Sequence, residues 1–162
     1  MKIVQKDILT VTDGIIGQQV NCQGVMGAGL AWAIQDKWPV VYHRYRHTKP
    51  ALGLCDIVFA QADIYVANLY GQDTVGTGRR QTNYGALSSA LSSLRTQTKH
   101  MLNYWHVYLP HGIGCGLGGG DWEIVHELIE FYLPDAIICI YDQPPSELQA
   151  TINKARLFGQ KG

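Results

Sequence analysis

A chain of 162 residues has room for about one hydrophobic core, since domains typically hold roughly 100 to 200 residues. Thirteen Lys and Arg balance thirteen Asp and Glu, so composition forces no broad basic face for nucleic acid or an anionic membrane, and any anion recognition must come from local backbone geometry. The opening MKIVQKDILTV carries charges unlike a signal peptide's apolar run, no stretch approaches the ~20 apolar residues that span a bilayer, and Cys22, Cys55, Cys115 and Cys139 show neither a CxxC pair nor zinc-ligand spacing. The expectation is a cytoplasmic monomer with reduced thiols, no metal, no cofactor and neither membrane nor nucleic acid as partner.

In chain order, residues 1–11 alternate and read as a first strand, residues 12–14 (Thr, Asp, Gly) as a turn, and GIIGQQV at 14–20 as a second strand. From 27 to 38 the apolar positions Leu30, Ala31, Ile34 and Trp38 follow helical spacing, and Pro39 ends that helix or opens another piece through Tyr45. CDIVFA at 55–60 and IYVANL at 64–69 read as a hairpin around residues 61–63. Residues 71–81 are turn-rich and carry Arg79 and Arg80; Leu87, Leu91 and Leu94 then mark a helix over 83–95 with Asn83 as its N-cap. A strand at 107–109, a helix at 122–133 and a strand at 136–141 complete the pattern, with a short helix expected after Pro144 and Pro145. Strands alternating with helices predict one α/β domain over 1–162, its core at about 1–142 and a tail at 143–162. Its ligands are expected outside the carboxyl ends of parallel strands.

Two loops concentrate the chemistry. HGIGCGLGGGDW at 111–122 places six glycines in nine positions between a strand and a helix, the composition of a backbone that approaches an anion closely. Counting from Gly114 gives Gly119 and Gly120 but no lysine, which excludes a Walker loop; six positions after Cys115 stands Asp121 rather than an arginine, which excludes a cysteine phosphatase loop. Gly114, Gly116 and Gly119 satisfy the dinucleotide GxGxxG pattern, yet about twenty residues remain after Asp142, too few for the further crossovers of a doubly wound domain. NCQGVMGAG at 21–29 also follows a strand and opens a helix, so two helix N-termini can grip one diphosphate without a cationic cluster.

QQVNCQGVMGAGLAWAIQDKWP and, far downstream, LPHGIGCGLGGGDWEIV resemble macro domains, the ADP-ribose-binding α/β/α folds. The likeness is to the branch holding ADP-ribose-1''-phosphate phosphatases, terminal ADP-ribose glycohydrolases and antitoxin macro domains that remove ADP-ribose from DNA. It implies a three-layer α/β/α fold around a central mixed, partly parallel sheet. It also implies that Asp7 and Ile8 meet adenine and that Asn21 lies beside the distal ribose. Gly24, Val25, Met26, Gly27 and Gly29 then surround ribose and diphosphate, while Ile113, Gly114, Cys115, Gly116, Leu117 and Gly118 hold the diphosphate and Tyr141 packs on adenine.

The glycohydrolases of this branch carry a lysine after the fourth strand, and one carries an aspartate in the second loop. Here NLYGQD puts Gln72 near the lysine's place and Gly118 near the aspartate's, and an amide cannot form a Schiff base. Asp121 remains as acid/base, a role compatible with capping the following helix, and His111 is a second candidate, assisting a leaving phosphate. The implied activity is hydrolysis of ADP-ribose-1''-phosphate to ADP-ribose and phosphate. A non-catalytic ADP-ribose-binding module and an ADP-ribosyl hydrolase acting on protein or nucleic acid are the alternatives.

Overall fold

The computed structural model describes residues 1–101 and 105–141; the tail expected at 143–162, its short helix and Asp142 lie outside them. Strands β1 (Lys2–Gln5), β2 (Gly14–Asn21), β3 (Cys55–Gln61), β4 (Ile64–Gln72), β5 (Val107–Pro110) and β6 (Ile137–Ile140) form one sheet in the order β1-β6-β5-β2-β4-β3. Every neighbouring pair is parallel except β3 with β4, the hairpin, whose turn holds Asp63 at φ 66°. The helices are α1 (Gly29–Lys37), α2 (Pro39–His47), α3 (Tyr84–Thr98) and α4 (Trp122–Tyr132).

Alternation along the central strands divides the core in two. Ile15, Ala67, Leu69 and Leu109 face α3 and α4, whose Leu87, Leu91, Leu94, Val125 and Ile129 complete one cluster. Ile16, Val20, Val66 and Tyr70 face α1 and α2, whose Ile34, Val41 and Tyr45 complete the other. Apolar faces on both sides require cover on both sides, which yields the three-layer α/β/α arrangement with a mixed, largely parallel sheet.

The first strand is shorter than its alternation predicts. Among the described residues β1 is an edge strand paired with β6 alone, and that ladder ends at Gln5 opposite Ile140. Beyond it the Asp7 carboxylate accepts from the Leu9 N–H (2.9 Å) and starts a 3-10 turn at Ile8–Thr10. Pro39 opens α2 immediately after α1, a placement that suits proline because its missing N–H falls in the first turn.

Asn83 and Asp121 cap α3 and α4, accepting from the N–H groups of Ala86 and Glu123, each at 2.9 Å. α1 differs: its N-cap is Ala28, which has no side-chain acceptor to offer the first turn.

Candidate functional site

A cleft of about 560 Å³ lies at the carboxyl ends of β2, β4 and β5, the place expected for a ligand in a parallel α/β sheet. β2 is hydrogen-bonded to both β4 and β5, so the loops that follow β2 and β5 are neighbours although about 90 residues separate them in sequence. Gly27, Ala28 and Gly29 form one wall, Gly112, Ile113, Gly114, Gly116, Leu117 and Gly118 the other, and among the described residues no Lys or Arg lines the space between.

The first loop is shaped by Asn21, which is buried. Its Oδ1 accepts from the N–H groups of Gln23 (2.9 Å) and Val25 (3.3 Å), and its Nδ2 donates to the Val25 carbonyl (2.8 Å). The Tyr45 hydroxyl lies 2.6 Å from the Asn21 carbonyl oxygen and 2.8 Å from Oδ1; burial pushes this phenol up to about 12, so it stays a donor. One Nδ2 proton of Asn21 remains for a ligand. Past Val25, α1 starts without a side-chain cap, and Gly29, Leu30 and Ala31, whose first-turn N–H groups have no partner within the helix, line the cleft.

The second loop folds on itself through donations from Ile113 to Pro110, Cys115 to Gly112, Gly119 to Gly116 and Gly120 to Gly114. The N–H groups of Gly114, Gly116, Leu117 and Gly118 find no partner among the described residues. Gly118 has no space for a side chain: a Cβ there would stand 2.5 Å from Thr82 Oγ1 and 2.7 Å from the Gly114 carbonyl oxygen.

A polar strut joins this loop to the strand tips. Gln19 Nε2 donates to Gln72 Oε1 (2.9 Å) and Thr82 Oγ1 (2.8 Å), and the Thr82 hydroxyl donates to the Gly114 carbonyl (2.6 Å). Between Val20 and Asn21 the pairing with β4 skips Gly71, a bulge that turns Gln72 onto the face of Gln19. At the cleft floor, where Gln18 lines the space, a second amide pair is buried: Gln18 Nε2 donates to Asn68 Oδ1 (2.9 Å), leaving Gln18 Oε1 and Asn68 Nδ2 without partners among the described residues.

The remaining residues singled out in the sequence fall around this space. Val25 lines it, with Asn21 and the glycine segments already described. Gly24 is held outside by Arg46, whose Nη1 donates to its carbonyl (3.3 Å), and Met26 is 3% exposed inside the core. Cys115 also turns away, its Sγ 3.4 Å from the Ile113 carbonyl, and burial with the nearby Asp121 carboxylate pushes the thiol up to about 11. Asp7, Ile8 and Tyr141 stand at the tips of β1 and β6 beyond the lining residues, Tyr141 being 57% exposed. His111 lines the cleft, and burial together with neighbouring His126 lowers its pKa. Asp121 caps α4 outside the lining residues, and its own N–H donates to the Tyr84 hydroxyl (2.9 Å). The Arg80 guanidinium lies 4.3 Å over the Tyr84 ring, and neither Arg79 nor Arg80 lines the cleft.

Sequence reasoning passed over Gln18, Gln19, Leu30, Ala31 and the segment Val75, Gly76, Thr77, all of which line the cleft. Two adjacent glutamines at the end of an otherwise apolar strand were a usable signal; the 75–77 segment is placed by loop geometry alone. Among the described residues no group of three or more His, Cys, Asp or Glu is placed to hold a metal ion, and no helix is long and apolar enough to cross a membrane.

No protein-family model matches the chain. A protein of phage T4 from the tk-vs intergenic region is 25% identical over 138 residues, covering 80% of this chain and 86% of its own. Among solved structures, a macrodomain protein of Streptomyces coelicolor is 25% identical with TM-score 0.71, covering 88% of this chain and 99% of that one. The macrodomain of Mycobacterium tuberculosis DarG is likewise 25% identical with TM-score 0.71, covering 88% and 97%. Thermosipho africanus DarTG in complex with ADP-ribose shares the fold at 22% identity and TM-score 0.70, covering 89% of this chain and 43% of that one. Sheet order, the paired glycine loops and these likenesses give the chain the macro domain fold, similar to the macrodomains of Streptomyces coelicolor and of DarG.

Proposed function

We propose that the chain binds ADP-ribose in this cleft, with the diphosphate between the start of α1 and the second glycine loop. The observation that carries the reading is the set of unpartnered backbone N–H groups on both walls: Gly29, Leu30 and Ala31 at an uncapped helix start, and Gly114, Gly116, Leu117 and Gly118 opposite. With no cationic side chain between them, these amides and the α1 dipole supply the positive potential that a diphosphate requires. The ADP-ribose complex of the structurally similar Thermosipho DarTG supports this choice of anion. The distal ribose lies toward the tips of β2 and β4, where Asn21 retains its N–H and Gln72 borders the space.

A second reading, hydrolysis of a derivative at the distal ribose, is favoured by the mouth of the cleft there. Val75 is 49% exposed and Leu117 is 70% exposed, so a substituent on the ribose C1'' extends into solvent. ADP-ribose-1''-phosphate is the smallest such derivative, and an ADP-ribosylated macromolecule leaves by the same route. In this reading Asp121 is the acid/base that activates water, exchanging its cap bond for the substrate.

Calorimetry with ADP-ribose tests the first reading: saturable binding is expected, and no heat at millimolar ligand overturns it. Phosphate release from ADP-ribose-1''-phosphate tests the second. Asp121→Asn keeps an efficient N-cap while removing the base, so turnover is expected to fall about 100-fold or more with unchanged melting temperature. Full turnover in Asp121→Asn removes Asp121 from the mechanism, and binding without turnover by the unaltered protein leaves a reader.

A further inference from the structure

The two edges of the sheet are guarded differently. β1, at one edge, is four residues long and carries Lys2, with Lys6 just beyond it, the kind of charge that discourages pairing with another chain. β3, at the other, is seven residues long and reads CDIVFAQ, without Lys, Arg or Pro; its one charge, Asp56, is held by Arg44 Nη2 at 3.0 Å. Its ladder with β4 is regular from Cys55 to Phe59 and shifts only past Phe59. Phe59 is 56% exposed but braced: its ring meets Tyr65 edge on, with centroids 5.6 Å apart, and Tyr65 lies against Trp105 at 5.3 Å.

The ladder also decides where the backbone of β3 points. The Tyr70 N–H donates to the Leu54 carbonyl (2.9 Å), and bonded and non-bonded pairs alternate along an antiparallel ladder, so Cys55, Ile57 and Phe59 turn their N–H and C=O away from β4. The Cys55 carbonyl accordingly accepts from Gln97 Nε2 of α3 (2.9 Å), whereas among the described residues nothing meets the outward groups of Ile57 and Phe59. We propose that two copies of the chain pair β3 against β3, antiparallel about a two-fold axis at Val58, with Ile57 opposite the partner's Phe59. This register closes two hydrogen-bonded pairs from the four outward groups of each copy and leaves the occupied Cys55 carbonyl outside them. Asp56 then faces the partner's Ala60, so no like charges oppose, and each Phe59 covers a β-branched side chain, a favourable cross-strand pair. Ile57 set opposite itself would instead demand the Cys55 carbonyl that Gln97 already holds. The axis passes through the sheet, so the two β4 strands run in opposite directions and both clefts stay open at opposite ends of a two-fold dimer, where the sequence led to the expectation of a monomer.

Analytical ultracentrifugation of the whole chain over a concentration series, joined to amide-resolved hydrogen exchange, tests it. An equilibrium between monomer and dimer is expected, with the dimer dominant at about 100 μM, as suits a small interface of micromolar affinity. The Ile57 and Phe59 N–H groups are expected to exchange at least about ten-fold more slowly there than in dilute protein, while that of Val58, directed at β4, keeps its rate. Phe59→Lys alters an exposed position and places a charge on the edge, so association is expected to weaken about thirty-fold or more, whereas Phe59→Tyr retains it. The exchange measurement on the unaltered protein decides independently of any variant. A chain that stays monomeric at the highest concentration, a dimer whose Ile57 and Phe59 N–H groups exchange as fast as in dilute protein, or a Phe59→Lys variant that associates as strongly as the original overturns the proposal.

Discussion

Asp121 shows how one residue type serves two assignments that sequence cannot separate. Its carboxylate accepts from the Glu123 N–H, which the sequence pattern of an acid before an amphipathic stretch makes legible, just as Asn83 was legible before its leucine periodicity. Asn21 was legible as a candidate and lines the cleft, but its bonds to Gln23 and Val25 were not legible, because an amide bound to its own loop and an amide directed at a ribose have the same letter. The Gln19 and Gln72 contact was hidden for another reason: it depends on a bulge at Gly71, which follows from pairing across some fifty residues rather than from local pattern. Gly118 carries a sharp consequence. An added Cβ meets a backbone carbonyl at 2.7 Å, which cannot swing aside as a side chain would, so Gly118→Ala must displace the second loop. Such crowding costs about 1 to 3 kcal/mol. ADP-ribose affinity by calorimetry is expected to fall at least about ten-fold in Gly118→Ala, and an unchanged affinity would mean that the loop takes no part in binding.

Among the elements, α1 is the informative one. α3 and α4 begin on residues whose side chains complete the first turn, whereas α1 begins on Ala28 between two glycines and leaves its turn open toward the cleft. An open helix start that borders a cleft offers its first-turn N–H groups to water or to an anion. Helices α1 to α4 and most strands were readable from periodicity and from Gly, Pro and Asn punctuation; β1 was overread because alternation continues past Gln5 while its partner β6 does not. The buried amides of β2 and β4 lead to a prediction at this scale. Asn68→Leu alone deprives Gln18 of its bond inside the core and is expected to cost about 1 to 3 kcal/mol. Adding Gln18→Leu removes both orphaned polar groups, and the double variant is expected to melt above the single one. Thermal denaturation checks this, and a double variant less stable than Asn68→Leu would show that the pair is satisfied in the folded protein.

For the whole molecule, the sheet order produces the site. Sequence alternation establishes that strands and helices interleave, but it cannot say that β2 stands between β4 and β5; that order alone turns two distant glycine loops into facing walls. The same order sets a direction across the strand tips, from Gln72 and Thr77 at one end to His111, Tyr141 and Asp7 at the other. If this neutral chain binds the proposed diphosphate through the ends of its secondary structure, affinity is expected to depend on loop geometry more than on salt. The most direct measurement is an amide-resolved NMR titration with ADP-ribose. The proposal requires the N–H resonances of Gly29, Leu30, Ala31, Gly114, Gly116, Leu117 and Gly118 to move together and saturate at one equivalent bound, with those of the α3 and α4 helices nearly still. Saturating ligand that leaves these seven amides unmoved, or no perturbation at millimolar ADP-ribose, would contradict it.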